Sequence, residues 1–130
     1  VGVPKWFKQH PNIMSMGRVS DVELRDLYRN AEFLLFPFTH DPFGLVPVEA
    51  MACGAPVLTY ASQGPAETVV DGVTGWLATT PTSLERLALQ AWRGGVPREM
   101  REAARSRAQA FSETIIIPQW VEAVWRLLRR

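Results

Sequence analysis

Short apolar runs alternate with amphipathic stretches along this chain, and each change of period marks an element. Residues 12–16 (NIMSM) read as a short strand ending at Gly17. Ser20 then opens a helix, with Glu23 three positions on in the spacing of a capping box, and Val22, Leu27 and Ala31 lie roughly along one side of it. Residues 33–36 (FLLF) are apolar at every position, as expected of a strand covered on both faces, and Pro37 ends them. A loop rich in Pro and Gly follows. It leads into a helix from about Leu45, with Pro47 in its first turn and Gly54 suited to the left-handed residue that closes it. Residues 56–60 (PVLTY) read as a second buried strand, residues 66–70 as a short helix, and residues 71–75 (DGVTG) as a turn into a brief strand at 76–78. From there the pattern is helical. It predicts a helix over 83–92 ended by Gly94 and Gly95, a second opened by Pro97 with Met100, Ala103, Ala104 and Phe111 on its apolar side, and a third capped by Ser112. In the third, Val121, Val124, Trp125 and Leu128 recur at helical spacing, and Pro118 is expected to kink it or delay its start. The prediction is one α/β domain over residues 1–130, a parallel sheet with flanking helices and a helical tail from about residue 83.

Composition narrows the function without naming it. Apolar residues make up 47% of 130 positions and charged ones 21%, which fits a single globular core and excludes disorder. No apolar run approaches the roughly 20 residues of a membrane-spanning helix. Cys53 is the sole cysteine and His10 and His40 the sole histidines, so an internal disulfide is excluded and a zinc site is not expected. The expected compartment is reducing and cytoplasmic. The net charge of +1 divides into −3 over residues 1–80 and +4 over residues 81–130, too mild an imbalance for a nucleic-acid binder.

The loop from Thr39 to Val48 carries the candidate chemistry. In open parallel sheets ligands bind beyond the carboxyl ends of the strands, and this loop leaves such an end and runs straight into a helix. The first N–H groups of that helix, near Gly44, Leu45 and Val46, favour an anion such as a phosphate. Asp41 precedes the helix and Glu49 lies about one turn inside it, so both acids can face one crevice and accept sugar hydroxyls. Amides for phosphate and two acids for hydroxyls describe a nucleotide-sugar site. The same spacing fits a second arrangement, in which Asp41 caps the helix and Glu49 forms a surface ion pair.

Residues 41–56, DPFGLVPVEAMACGAP, closely resemble the donor-binding signature of retaining glycosyltransferases of the GT-B fold, in particular glycosyltransferase family four, the group 1 transferases. Gly17-Arg18-Val19-Ser20 with Glu23-Leu24 and Tyr28 resembles the family's G-x-V-S-x-x-E-L-x-x-x-Y segment. Gly64, Glu67 and Asp71-Gly72-Val73-Thr74-Gly75 resemble its G-x-x-E-x-x-x-D-G-x-T-G segment. The resemblance implies a Rossmann-like C-terminal donor domain, present here in part. It implies that Glu49 holds the ribose hydroxyls, that Asp41 reaches hydroxyls of the transferred sugar, and that the amides of Phe43, Gly44 and Leu45 bind the sugar and diphosphate. The turn of Gly17, Arg18 and Val19 would lie beside the nucleobase. No metal ion or other cofactor is implied, since amide dipoles and basic side chains stabilise the departing diphosphate.

The expected function is therefore transfer of a hexosyl group from a nucleoside-diphosphate sugar to a carbohydrate or lipid-linked acceptor, with retention. The alternative is a non-catalytic nucleotide-sugar-binding or scaffolding subunit that needs a partner chain. Asp41 stands where the family usually has Glu, and Phe38 where a serine is common. Relative to the family, the acceptor-binding domain and the first two strands of the donor domain are missing, and Lys5, Lys8 and Arg18 do not match its diphosphate-binding basic pair. The expected partners are that missing half, from another segment or chain, or a second copy pairing through the sheet edge. Trp120, Trp125 and the terminal arginines suit either packing against the absent domain or a peripheral place at the cytosolic membrane face. Cys53 reads as a small buried residue rather than a nucleophile, His40 as a solvated loop histidine or a contact of donor or acceptor, and Glu67 as preceding a helical stretch, where it either approaches the nucleotide crevice or favours the helix dipole.

Overall fold

The computed structural model describes residues 10–129, and its apolar runs assemble a three-stranded parallel sheet in the order β1-β2-β3. The strands are β1 (Leu34–Phe36), β2 (Val57–Tyr60) and β3 (Gly75–Ala78). Leu34 is paired with Val57, and Val57 with Gly75, so β2 is central. Its Val57, Leu58 and Thr59 are fully buried, as in a strand covered on both faces.

Successive residues of β2 serve opposite layers. Val57 joins Phe36, Ala50, Met51, Ala55, Ala104 and Ala108 on one face, where α2 (Leu45–Ala52) and α5 (Arg98–Gln109) pack on each other. Leu58 joins Ala78 and Leu84 on the other, beneath α4 (Pro81–Gly94). Burial of side chains such as Met51, Val57 and Leu58 stabilises the fold by about 1.5–3 kcal/mol each. Small residues at 50, 104 and 108 let α2 and α5 approach closely. Two arginines of α5 tie it to the loops: Arg101 donates to the carbonyls of Ala31 and Gly54 and to Glu32, while the guanidinium of Arg105 lies over Gly54, whose φ is +86°.

The caps follow the sequence closely. Ser20 accepts the Glu23 N–H and Glu23 accepts the Ser20 N–H, closing the predicted box on α1 (Asp21–Asn30). Thr80 and Ser83 form a second reciprocal pair on α4, so that helix begins at Pro81, two residues before the predicted start. The short helix α3 (Gln63–Thr68) also begins earlier than its predicted 66–70 span.

Four expectations are corrected. Residues 12–16 are not a strand. No described strand lies beside them to take their N–H and C=O groups, and their one regular backbone bond is a turn from Ile13 N–H to the His10 carbonyl at 3.0 Å. The inward side of α1 is Leu24, Tyr28 and Ala31, at spacings of four and three, whereas Val22 and Leu27 are exposed. Glu67 lies near the carboxyl end of α3, where the dipole disfavours an acid. The last helix, α6 (Glu113–Leu128), carries no buried residue and contains Pro118, so of the two effects expected of that proline the delayed start is absent. No helix among the described residues is long and apolar enough to cross a membrane.

Candidate functional site

The carboxyl ends of β1 and β2 carry two loops that are bound to each other. The Gly64 N–H donates to the Asp41 carbonyl at 3.0 Å, and the Ser62 hydroxyl donates to the Thr39 carbonyl at 3.0 Å. Gly64 meets the backbone of Phe43 so closely that a side chain at that position would overlap it, and Gly44 packs against Pro65. Gly44 itself is left-handed, with φ +84°, and precedes the first turn of α2. Glycine at 44 supplies that conformation without the cost a Cβ would bring. Phe43 also meets Phe111 edge to face, with ring centroids 6.1 Å apart, so the end of α5 supports the loop.

Asp41 turns back on its own loop. Its Oδ1 accepts the Gly44 N–H at 2.7 Å and the Phe43 N–H at 3.1 Å. Those two amides, expected to meet sugar and diphosphate, are thus engaged by the acid that was expected beside them. A short aspartate reaches the amides two and three residues ahead readily, and such closure is favoured at helix starts. The next two N–H groups, of Leu45 and Val46, belong to the first turn of α2 and have no acceptor within the helix. Leu45 is exposed and Val46 half-buried.

Glu49 faces elsewhere. It is exposed on α2 and lines a cleft of about 320 Å³ with Asp21, Leu24, Arg25 and Tyr28 of α1 and with Ala52 and Cys53. That volume lies at the lower end of the range for small-molecule sites. Burial, and after it the negative charges of Glu49 and Cys53, raises the Tyr28 phenol above its ordinary value. Arg25 pairs with Asp26 at 3.4 Å, and Glu49 has no ion-pair partner among the described residues. Asp41 is not among the residues that line this cleft. Larger depressions are open surface: about 780 Å³ on α4, 570 Å³ between Met16 and α1, and 470 and 360 Å³ along α6.

The remaining predicted residues are spread around this centre. Gly17, with φ +64°, and Arg18 are exposed, Val19 is half-buried, and the three form the turn into α1, one wall of the Glu49 cleft. Cys53 is half-buried at the end of α2 and lines the cleft. The exposed His40 ring lies 2.8 Å from the Thr39 hydroxyl. Among the described residues no group of three His, Cys, Asp or Glu side chains is placed to hold a metal ion. Sequence reasoning missed Tyr28 as a cleft residue. Its spacing from Leu24 was the available signal, obscured by the apolar Val22 and Leu27.

Comparison with known proteins bears on this arrangement. The family described as glycosyl transferases group 1 matches residues 7–111. The alpha-1,3/1,6-mannosyltransferase alg-2 of Neurospora crassa is 51% identical over 51 residues, which are 39% of this chain and 11% of that protein. The solved sucrose-phosphate synthase of Thermosynechococcus elongatus superimposes with a TM-score of 0.75 at 29% identity, over 89% of this chain and 30% of the other. HepE of Anabaena, solved in complex with UDP-glucose, superimposes with a TM-score of 0.63 at 29% identity, over 77% and 29%. The matched stretch spans less than a third of each of these proteins.

Proposed function

Because this chain belongs to the group 1 glycosyl transferases and has the parallel α/β layer of their GT-B fold, we propose that it is the donor-binding part of a glycosyltransferase. The reaction proposed is transfer of a hexosyl group, with retention, from a nucleoside-diphosphate sugar to a carbohydrate or lipid-linked acceptor. The observation that carries this reading is the start of α2. Two N–H groups without helical acceptors stand at the carboxyl end of a parallel strand, and Glu49 lies one turn further on, at the mouth of a cleft. The HepE complex with UDP-glucose supports a nucleotide sugar as the ligand class.

In this mechanism the Leu45 and Val46 amides, with the dipole of α2, meet the diphosphate and stabilise the negative charge that grows as the sugar leaves. Glu49 accepts the ribose hydroxyls and anchors the nucleoside along the α1–α2 cleft, with the turn at Gly17, Arg18 and Val19 near the base. Orientation against the acceptor supplies much of the remaining rate. No metal ion or cofactor takes part, and the acceptor is bound by a further domain or partner chain.

Saturation-transfer NMR with UDP-glucose and GDP-mannose, beside a turnover assay run with and without the acceptor-binding part and reading the anomeric configuration of the product, tests this. Expected are ribose-proton saturation, its loss in Glu49→Gln, and a product of unchanged configuration. Binding without turnover even when the acceptor-binding part is supplied favours a non-catalytic nucleotide-sugar-binding subunit, a reading that the inward turn of Asp41 supports. Absence of binding to either nucleotide refutes both.

A further inference from the structure

Asp41 is tied to the chain at both of its polar ends. Its side chain accepts from Phe43 and Gly44, and its carbonyl accepts from Gly64. It therefore joins the β1–α2 loop to the first turn of α3 and sets the direction in which the following amides, Leu45 and Val46, present themselves. Bonds from N–H groups to a carboxylate are the stronger kind, about twice a neutral pair. A sugar hydroxyl reaching Oδ1 would have to displace one of them, with little net gain. The loop holds Oδ1 and with it the plane of the carboxylate, so Oδ2 is the only atom through which Asp41 could still meet a sugar hydroxyl, in a direction set by the loop and not by the sugar. A glutamate would carry its carboxylate about 1.5 Å further out, one C–C bond. Glutamate is also absent from the residues that favour this kind of short-range closure.

We propose that Asp41 is a positioning residue rather than a ligand of the transferred sugar. It locks the loop so that the next two amides face the diphosphate, and leaves Glu49 as the acid that binds the donor. The consequence concerns selectivity. Donor affinity in this protein comes from the nucleoside diphosphate and depends little on which sugar is attached. This rests on the nucleotide-sugar reading given above.

Calorimetric titration of the full-length protein with UDP, UDP-glucose, GDP and GDP-mannose tests it. The wild type is expected to bind the preferred nucleoside diphosphate and its sugar conjugate within about threefold of each other. Asp41→Ala weakens both equally, by about tenfold, the size of a lost helix-start closure. Asp41→Asn, whose amide oxygen still accepts the two N–H groups, recovers most of that loss. Amide hydrogen exchange without ligand gives a second readout, in which Phe43 and Gly44 exchange slowly in wild type and Asp41→Asn and rapidly in Asp41→Ala. Should the wild type prefer a sugar conjugate by more than tenfold, and Asp41→Ala abolish that preference while leaving the diphosphate alone, Asp41 binds sugar. The inference then fails and the nucleotide-sugar reading stands. If none of the four nucleotides binds, the reading fails and the inference with it.

Discussion

The Cα of Gly64 rests directly against the backbone of Phe43, leaving no room for a Cβ between the start of α3 and the loop that leads into α2. That contact brings together the loops leaving two neighbouring parallel strands. It explains in steric terms why the segment reads Gly64 rather than any larger residue.

Gly64→Ala is therefore expected to destabilise the fold by about 3 kcal/mol, at the upper end of ordinary overpacking, since backbone rather than a flexible side chain must move. Nucleotide affinity should fall with it. Gly72→Ala is the comparison: its φ is +73° but nothing lies within 4 Å of the added carbon, so only the left-handed strain of about 1 kcal/mol applies. Urea denaturation of the two variants measures the difference, and equal losses would show that the loop yields easily.

Arg107 supports the same loop from behind. It donates to the carbonyls of Glu67 at 2.7 Å and Thr68 at 3.1 Å, at the end of α3, and lies 5.0 Å from the ring centroid of Phe111, the partner of Phe43. Hydrogen bonds to a charged donor are worth about 1.5–3 kcal/mol net. Arg107→Ala should cost about 2 kcal/mol in chemical denaturation. Arg107→Lys should recover only part of it, because an ammonium lacks the planar fork that reaches two carbonyls and stacks on a ring. Full recovery by lysine would mean that charge alone matters.

Legibility in the sequence followed the range of the forces. The cap at Ser20, the strand cores at 34–36 and 57–60, and the left-handed glycine at 54 are local consequences of residue type, and they were readable. Residues 12–16 were misread because a strand is defined by its neighbour, and alternation cannot show whether one is present. The inward face of α1 was misread because a half-buried tyrosine competes poorly with Val22 and Leu27 on a hydropathy count. At the site, the identity of the loop was legible from its Gly and Pro positions and from the resemblance of its motif. The direction of the Asp41 carboxylate was not. One methylene decides whether that acid closes on its own amides or reaches outward, and the spacing of Asp41 and Glu49 is the same in both cases.

The exposed helix α6 gives a prediction about association. Trp120 and Trp125 are 69% and 56% exposed, and Ile117, Val121, Val124 and Leu128 continue the apolar surface. Contiguous apolar surface of this kind drives contacts with other surfaces. The chain of residues 1–130 is expected to self-associate at micromolar concentration in light scattering. Trp120→Ser with Trp125→Ser should suppress this while leaving the melting temperature nearly unchanged, since neither ring packs in the core. A large drop in melting temperature would instead mean that α6 stabilises the fold.

The α1–α2 cleft can be interrogated by alkaline titration. The Tyr28 phenol is raised above about 10 by burial first, then by the charges of Glu49 and Cys53. Its neutral form is thus favoured in the folded chain, whereas the unfolded chain releases the proton at lower pH. The stability this contributes is complete below the unfolded value near pH 10 and is lost as pH rises through the higher folded value. Wild-type melting temperatures should therefore fall more steeply above pH 10 than those of Tyr28→Phe. With Tyr60→Phe as background, Tyr28 is the remaining tyrosine, and its phenolate absorbance reports it alone. Adding Glu49→Gln to that background should move the midpoint to lower pH, because one of the nearby negative charges is gone. An unmoved midpoint would mean that burial alone raises the phenol and that the Glu49 carboxylate points out of the cleft.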